Sequence, residues 1–144
     1  MILLDTNVLI RLKEITLPDA EICVSAISLA EMRFGVDSAR TPAVRRQRLR
    51  QLVAIDELMG HEWMPFEDRA ASGTGFLASV VAATRPSHAR SRDIMLAGHA
   101  YALGAALLTL NPRDFALVSE HVEILAPDRP VAGERPAGGG SGRG

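Results

Sequence analysis

The chain has 144 residues, of which 47% are apolar and 23% charged, and its formal net charge is −1. These values are typical of one soluble globular domain and exclude a two-domain enzyme. A single cysteine excludes an internal disulfide, and because no apolar run approaches the ~18 residues of a membrane span, we expect no membrane insertion.

Short apolar runs alternate with longer segments of helical period, a pattern that predicts an α/β fold with a parallel sheet. The predicted strands are, in chain order, residues 2–4, 22–24, 63–66, 105–109 and 122–125. The predicted helices are residues 8–14, 26–38, 42–59, 67–84, 92–103 and 112–119. The first strand is apolar throughout, which favours a central position with both faces covered. Pro65 favours an edge position for the third strand.

The last 18 residues differ in composition from the rest of the chain. Residues 127–144 hold three of the eight prolines and six of the twelve glycines, with Val131 as the one large aliphatic residue. Such a segment cannot bury enough apolar surface to offset the entropy of ordering. We therefore expect a folded domain over residues 1–126 and a disordered tail over residues 127–144.

Several other features bear on location and on the class of partner. No basic segment precedes the apolar start of the chain, so we expect a cytoplasmic protein. Cys23 lies in an apolar run, which favours a buried residue over a reactive thiol and agrees with a reducing compartment. The cations are 15 Arg and one Lys. Because Arg forms bidentate hydrogen bonds with phosphate, this bias points towards nucleic acid.

Acidic residues follow the predicted strands at their carboxyl ends. Asp5 comes directly after the first strand, and Asn111 and Asp114 follow the fourth. Glu31 lies about two helical turns beyond the second strand, and Asp93 opens the fifth helix. Because ligands of parallel sheets bind outside the carboxyl ends of the strands, the four acids are predicted to converge on one rim.

Each acid also has a purely structural explanation, as a helix cap or as a first-turn acid that complements the helix dipole. Ser28 and Glu31 have the spacing of a capping box. Glu31 is too deep for a cap, however, if its helix begins just after Ser25. Asp5 interrupts a largely apolar stretch, where an acid without a partner is costly to desolvate. These two observations favour a functional site.

Several carboxylates in one partly dry cleft raise each other's pKa unless a cation is present. A ligand set made of oxygen atoms selects Mg²⁺, with Mn²⁺ as a substitute, over Zn²⁺. The histidines are dispersed along the chain and are not predicted ligands; they are His61, His88, His99 and His121.

Four segments together resemble a known family. The chain resembles a PIN-domain ribonuclease over residues 1–126, and its length and single domain resemble the VapC-type toxins of toxin–antitoxin pairs. The segments that carry the resemblance are Asp5-Thr6-Asn7-Val8-Leu9-Ile10, Leu29-Ala30-Glu31-Met32 with Gly35, Asp93-Ile94-Met95-Leu96-Ala97 and Thr109-Leu110-Asn111-Pro112-Arg113-Asp114-Phe115.

The resemblance implies a three-layer α/β/α domain with about five parallel strands. It also implies an acidic catalytic site at the positions of Asp5, Glu31, Asp93 and Asp114. Asp5 and Asp93 are the expected direct metal ligands, and the other two acids complete the site directly or through water. Thr109 and Asn111 are expected to orient the loop at the substrate.

The implied reaction is Mg²⁺-dependent hydrolysis of an RNA phosphodiester by metal-activated water, which leaves 5′-phosphate and 3′-hydroxyl ends. Transfer RNA and ribosomal RNA are both expected substrate classes. Further expectations from the resemblance are a cognate antitoxin and a homodimer, both formed over the region of the third helix.

Arginines are concentrated in two segments of the chain. Arg90 and Arg92, with Arg85, lie just before Asp93 in a segment more basic than the family pattern. They are predicted either to hold RNA phosphates or to lie in a solvated loop. On the third helix, a wide angular spread favours a solvated face for Arg45, Arg46, Arg48 and Arg50.

Two other functions stay open at this point. A phosphotransferase of the haloacid dehalogenase type also has an Asp after its first strand, but it needs a second Asp where this chain has Asn7. A non-catalytic PIN-like module for RNA or protein binding would keep the fold without the reaction. Loss of cleavage in Asp5→Asn would exclude that module.

Overall fold

The computed structural model describes residues 1–128, so the predicted disordered tail lies outside the described residues from residue 129 onwards. Five parallel strands form one sheet in the order β3-β2-β1-β4-β5. The strands are β1 (Ile2–Leu4), β2 (Ile22–Ser25), β3 (Trp63–Met64), β4 (Ala106–Leu108) and β5 (Ile124–Leu125). The α-helices are α1 (Thr6–Ile10), α2 (Ala26–Asp37), α3 (Pro42–Leu58), α4 (Asp68–Ala82) and α5 (Arg92–Leu103). Helices cover both faces, so the predicted three-layer α/β/α fold is confirmed.

The central strand β1 joins two hydrophobic cores. Leu3 packs into one core with α4 and α5, while Leu4 packs into the other with α1, α2 and α3. Both side chains are fully buried, and each such burial stabilises the fold by roughly 1.5–3 kcal/mol. Within residues 1–128, no helix combines the length and hydrophobicity that a bilayer span requires.

Several predicted boundaries were wrong. The first helix begins at Thr6, two residues earlier than predicted, and its predicted last turn is the separate 3₁₀ helix Leu12–Glu14. The amide of Gln51 donates to the carbonyl oxygen of Ile10 at 2.7 Å and satisfies the end of α1. Pro65, which lacks an N–H, ends β3 at Met64.

The chain after β4 also differs from the prediction. The helix expected over residues 112–119 is the 3₁₀ helix Pro112–Val118, which begins with a hydrogen bond from the N–H of Asp114 to the oxygen of Asn111. The last strand is shorter than predicted. The N–H of Val122 bonds to the carbonyl of Val118 at 3.0 Å and thereby closes a turn.

The arginines of α3 are exposed, as predicted, but two of them also have structural partners. The guanidinium of Arg48 donates to the oxygen of Gly35 at 2.6 Å, and that of Arg45 donates to the oxygens of Val36 and Asp37. These carbonyls lie at the end of α2 and lack partners within that helix. Arg45 and Arg48 therefore join α3 to α2.

Helices α4 and α5 cross at two glycines. A Cβ at Gly98 would lie 2.5 Å from the backbone nitrogen of Thr74, and one at Gly73 would lie 2.8 Å from the oxygen of Gly98. Any side chain at Gly98 would therefore force the helices apart. This close approach fixes α5, whose first turn carries Asp93.

Candidate active site

Asp5 lies directly after β1 and is only 6% exposed. It occupies the position before α1, but its carboxylate makes no capping hydrogen bond to that helix. Its Oδ2 instead accepts a hydrogen bond of 2.7 Å from the hydroxyl of Thr109, which follows β4. Helix capping therefore does not explain the position of Asp5. Its hydrogen bond with Thr109 links the ends of the two central strands, β1 and β4.

The hydroxyl of Thr109 is fully buried and has three partners. It accepts from the backbone N–H of Asn111 at 3.1 Å and from the side-chain amide of Asn7 at 3.4 Å. A hydroxyl has one proton and two acceptor lone pairs, so these two donors direct its proton to Asp5. Thr109 therefore holds Asp5 as a hydrogen-bond acceptor.

Asn7 is a site residue to which the sequence analysis gave no role. Its Oδ1 accepts from the N–H of Leu110 at 3.2 Å, while its amide group points to Thr109. One side chain thus ties α1 to the loop after β4. The available signal was its position two residues after Asp5, within the Asp-Thr-Asn segment.

Glu31 lies in the second turn of α2 and does not belong to a capping box. The helix is capped by Ser25, whose hydroxyl accepts from the N–H of Ile27 at 3.0 Å. Ser28 is fully buried and accepts a hydrogen bond from Thr6 at 2.9 Å. The prediction that Glu31 is too deep for a cap is therefore confirmed, and its carboxylate is available for another role.

The carboxylate of Glu31 pairs with the guanidinium of Arg92 at 3.1 Å. The Glu31 side chain is 17% exposed and the Arg92 side chain 67%. An ion pair with one partner this exposed contributes little to stability, about 0–1 kcal/mol. Arg92 therefore lies at the acidic site but is only weakly held there.

Asp93 is half-buried in the first turn of α5. Burial raises its pKa, and Asp114 and Glu31 raise it further, while His88 and Arg92 partly oppose this. Burial likewise raises the pKa of Asp5, against the hydrogen bond from Thr109, and Asp93 and Glu31 add to the rise. The four acids of the prediction therefore act on one another electrostatically.

The remaining predicted residues lie at the outer edge of this site. Asn111 and Asp114 are exposed, and the Asn111 side chain makes no capping bond to the following 3₁₀ helix. Arg90 is also exposed, in the turn before α5. The structure thus places Asp5 deep, Asp93 and Glu31 at intermediate depth, and Asp114 at the surface.

His99 is a second residue that the sequence analysis left without a role. It is 2% exposed, and its Nδ1 is 2.9 Å from the hydroxyl of Ser25. The ring of Phe66 packs edge-on against it at 5.6 Å, and burial lowers the pKa of His99. Because Ser25 caps α2, this contact joins the helix of Glu31 to the helix of Asp93.

The acids of this site carry the oxygen groups that a divalent cation such as Mg²⁺ binds. Over residues 1–128, no three His, Cys, Asp or Glu side chains are gathered into a ready metal-binding group. Mg²⁺ does not require one, since it is commonly held by one or two carboxylates together with water and substrate phosphate. Asp5 and Asp93 carry two such oxygen groups. Burial is the main cause that raises the pKa of each, neighbouring carboxylates add to it, and a cation beside them would favour their ionised forms. The residues therefore fit Mg²⁺.

Comparison with known proteins identifies relatives of this fold. A model of the PIN domain family matches residues 2–121. No curated protein matches the sequence. Among solved structures, a chain of VapBC-5 from Mycobacterium tuberculosis, a member of the VapBC family of toxin-antitoxin systems, is 25% identical, with 86% of this chain and 94% of that chain covered and a TM-score of 0.66.

Two further structures share the fold at lower identity. VapBC2 from Rickettsia felis, bound to a DNA fragment from its promoter, is 23% identical, with 89% of this chain and all 100% of that chain covered and a TM-score of 0.68. DNA-bound VapBC from Salmonella typhimurium is 24% identical, with 87% of this chain and 96% of that chain covered and a TM-score of 0.66.

Proposed function

The chain belongs to the PIN domain family, and we propose that it is a Mg²⁺-dependent endoribonuclease that acts as the toxin of a toxin–antitoxin pair. The observation that carries the proposal is the buried Asp5 carboxylate. Thr109 holds it as an acceptor at the carboxyl end of the sheet, and Asp93 and Glu31 lie close enough to raise its pKa. Buried carboxylates that raise each other's pKa are characteristic of functional sites.

Asp5 and Asp93 would hold the cation, and Mn²⁺ would substitute for Mg²⁺. When bound, the cation supplies electrostatic stabilisation of the phosphoryl oxygens and lowers the pKa of a water molecule. Glu31 and Asp114 would accept hydrogen bonds from water and so orient it. Cys23 takes no part, because it is buried and burial raises the pKa of its thiol to about 11.

The chain's other residues position these acids and the substrate. Thr109 keeps an oxygen of Asp5 in place, and the N–H of Asn111 helps to fix Thr109. Arg90 and Arg92 lie next to Asp93 and are exposed, so both can reach RNA phosphates. Arg92 would exchange its partner Glu31 for phosphate when RNA binds. Hydrolysis by water leaves 5′-phosphate and 3′-hydroxyl ends on transfer RNA or ribosomal RNA.

An antitoxin partner is supported by the VapBC complexes among the similar structures. From the resemblance we expect antitoxin and homodimer contacts over α3, where a cavity of about 640 Å³ lies between α3 and α1. Its apolar lining includes Ile10, which is 51% exposed, and Leu58, which is 66% exposed. An apolar helix of an antitoxin would cover both side chains.

The proposal is tested by incubating the purified protein with cellular RNA in Mg²⁺ or in EDTA and mapping the RNA ends. We expect Mg²⁺-dependent cuts with 5′-phosphate and 3′-hydroxyl ends, and a loss of at least about 100-fold in rate for Asp5→Asn. Asp68→Asn is the matched control, because Asp68 lies near Tyr101, at the opposite end of α5 from Asp93.

Three results would contradict the proposal. Cleavage that persists in excess EDTA, or 2′,3′-cyclic phosphate ends, would overturn the mechanism. RNA binding without cleavage in Mg²⁺ would instead identify a non-catalytic module.

A further inference from the structure

A small cavity lies beside the acidic site. It is formed where the end of α4, the turn before α5, the first turn of α5 and the 3₁₀ helix Pro112–Val118 meet, and its volume is about 150 Å³. Asp114 is part of its lining, so the cavity opens at the outer edge of the carboxylate cluster. We call it the Asp114 cavity.

The floor of the Asp114 cavity is apolar. Val81, Ile94 and Val118 contribute to it, and each is at most 2% exposed. Leu117 also lines the cavity and is 37% exposed, which leaves an aliphatic surface open to a ligand. Such a surface suits the flat face of a nucleobase.

Cationic side chains surround this floor. Arg85, His88 and Arg113 line the cavity, and both arginines are exposed. Within residues 1–128 neither guanidinium has a salt-bridge partner. Both are therefore available to an anion, in contrast to Arg92, which pairs with Glu31. His88 is near enough to Asp93 to act on its charge, so the cavity and the acidic site adjoin.

The volume of the Asp114 cavity limits the size of the ligand that it can hold. The Asp114 cavity has a volume of about 150 Å³. This space accommodates one ring system but is well below the roughly 300 Å³ or more of pockets that enclose a whole drug-sized ligand. An apolar floor with arginines at the mouth combines the two recognition elements of a nucleotide, a base and a phosphate.

We propose that the Asp114 cavity holds one nucleotide of the RNA substrate next to the cleaved bond, with its base against Leu117 and its phosphate between Arg85 and Arg113. This inference rests on the proposed function and deepens it by assigning a substrate subsite. It adds Arg113 and Leu117, which the sequence pattern did not indicate, and selects Arg85 from the basic segment before α5.

The test measures binding of a fluorescein-labelled 12-nucleotide single-stranded RNA to the full-length protein in EDTA by anisotropy, over a series of salt concentrations. The variants are Arg85→Ala, Arg113→Ala and Leu117→Ser, all at exposed positions. Arg46→Ala is the control, because Arg46 is an exposed arginine of α3 that does not line the Asp114 cavity. Cleavage by the unmodified protein in Mg²⁺ is measured in parallel, and circular dichroism checks the fold.

We expect Arg85→Ala and Arg113→Ala each to weaken binding about tenfold and to reduce the slope of log Kd against log salt by about 0.7, the value for one lost phosphate contact on a single strand. Leu117→Ser is expected to weaken binding by roughly threefold or more with an unchanged slope, because it removes an apolar contact to a base. Arg46→Ala should match the unmodified protein.

The possible failures can be separated. If the unmodified protein cleaves RNA but the two arginine variants bind like Arg46→Ala, the subsite inference is wrong and the nuclease proposal stands. If only Leu117→Ser binds normally, no base occupies the cavity and the inference is again overturned. If the unmodified protein neither binds nor cleaves RNA, the inference and the proposed function both fail.

Discussion

The substitution Thr109→Val tests the structural basis of the acidic site. Valine has nearly the same shape but removes the hydroxyl that donates to Asp5 at 2.7 Å and accepts from Asn111 and Asn7 at 3.1 and 3.4 Å. The bond to the carboxylate is worth about 1.5–3 kcal/mol. The two accepted bonds add roughly 0.5–1 kcal/mol together, because the N–H of the exposed Asn111 can bind water instead.

The variant is therefore expected to lose about 2–4 kcal/mol of the free energy of unfolding, which corresponds to a fall of roughly 6–16 °C in Tm for a domain of this size. Removing this hydrogen bond also takes away a contact that lowers the pKa of Asp5. Its carboxylate should be harder to ionise and less well oriented, so Mg²⁺ should raise the Tm of the variant less than that of the unmodified protein.

Thermal unfolding followed by circular dichroism, in EDTA and in MgCl₂, measures both effects. Thr84→Val is the matched control, since Thr84 is exposed just after α4. The reasoning is refuted if Thr109→Val unfolds at the temperature of the unmodified protein and responds to Mg²⁺ in the same way.

Three further predictions concern stability and reactivity. The folded protein raises the pKa of Asp5 above its unfolded value and so binds more protons than the unfolded chain, which costs stability at neutral pH. Asp5→Asn should therefore raise the Tm of the metal-free protein at pH 7, with a gain that shrinks as the pH falls towards 4; an equal or lower Tm at pH 7 would contradict this. Gly98→Ala should cost about 3 kcal/mol in urea unfolding because its Cβ meets the backbone of Thr74, whereas Gly75→Ala, which meets nothing within 4 Å, should be neutral or stabilising. Cys23, with a pKa raised to about 11, should react with a thiol reagent at pH 8 only after unfolding. Rapid reaction of the native protein would show instead that the Cys23 thiol is accessible to solvent.

The sequence predicted the fold well because hydrophobic patterning determines it. The continuous apolar run before Asp5 indicated a buried central strand, and the N-cap Thr41 with Pro42 marked the start of α3. The ends of the short elements were predicted less well. They depend on single tertiary hydrogen bonds, such as the one from Gln51 to Ile10, which no local pattern reveals.

The candidate acids could be located from the predicted elements, because Asp5 and Asp114 follow strands, Asp93 opens α5 and Glu31 lies in the second turn of α2. The hydrogen bonds around them could not be predicted. Asn7 lies more than 100 residues before Thr109 and Leu110 in the sequence, and only the pairing of β1 with β4 brings it to them. The pairing of Arg92 with Glu31 likewise joins two helices. In a basic segment predicted either to hold RNA phosphates or to lie in a solvated loop, one arginine therefore turns towards the acids.

The Asp114 cavity was not predictable from the sequence for the same reason. Its lining comes from four separate segments, and the exposed Leu117 lies in a helix whose 3₁₀ geometry differs from the α-helix expected there. The direction of a side chain on such a helix depends on the helix type, since successive residues turn by different angles.

Calorimetric titration of the metal-free protein with Mg²⁺ tests most directly the claim that Asp5 and Asp93 share a cation. The account predicts saturable binding for the unmodified protein and for Asp68→Asn, and a loss of at least tenfold in affinity for Asp5→Asn and for Asp93→Asn. No binding to the unmodified protein, or the same affinity in all four proteins, would contradict the account.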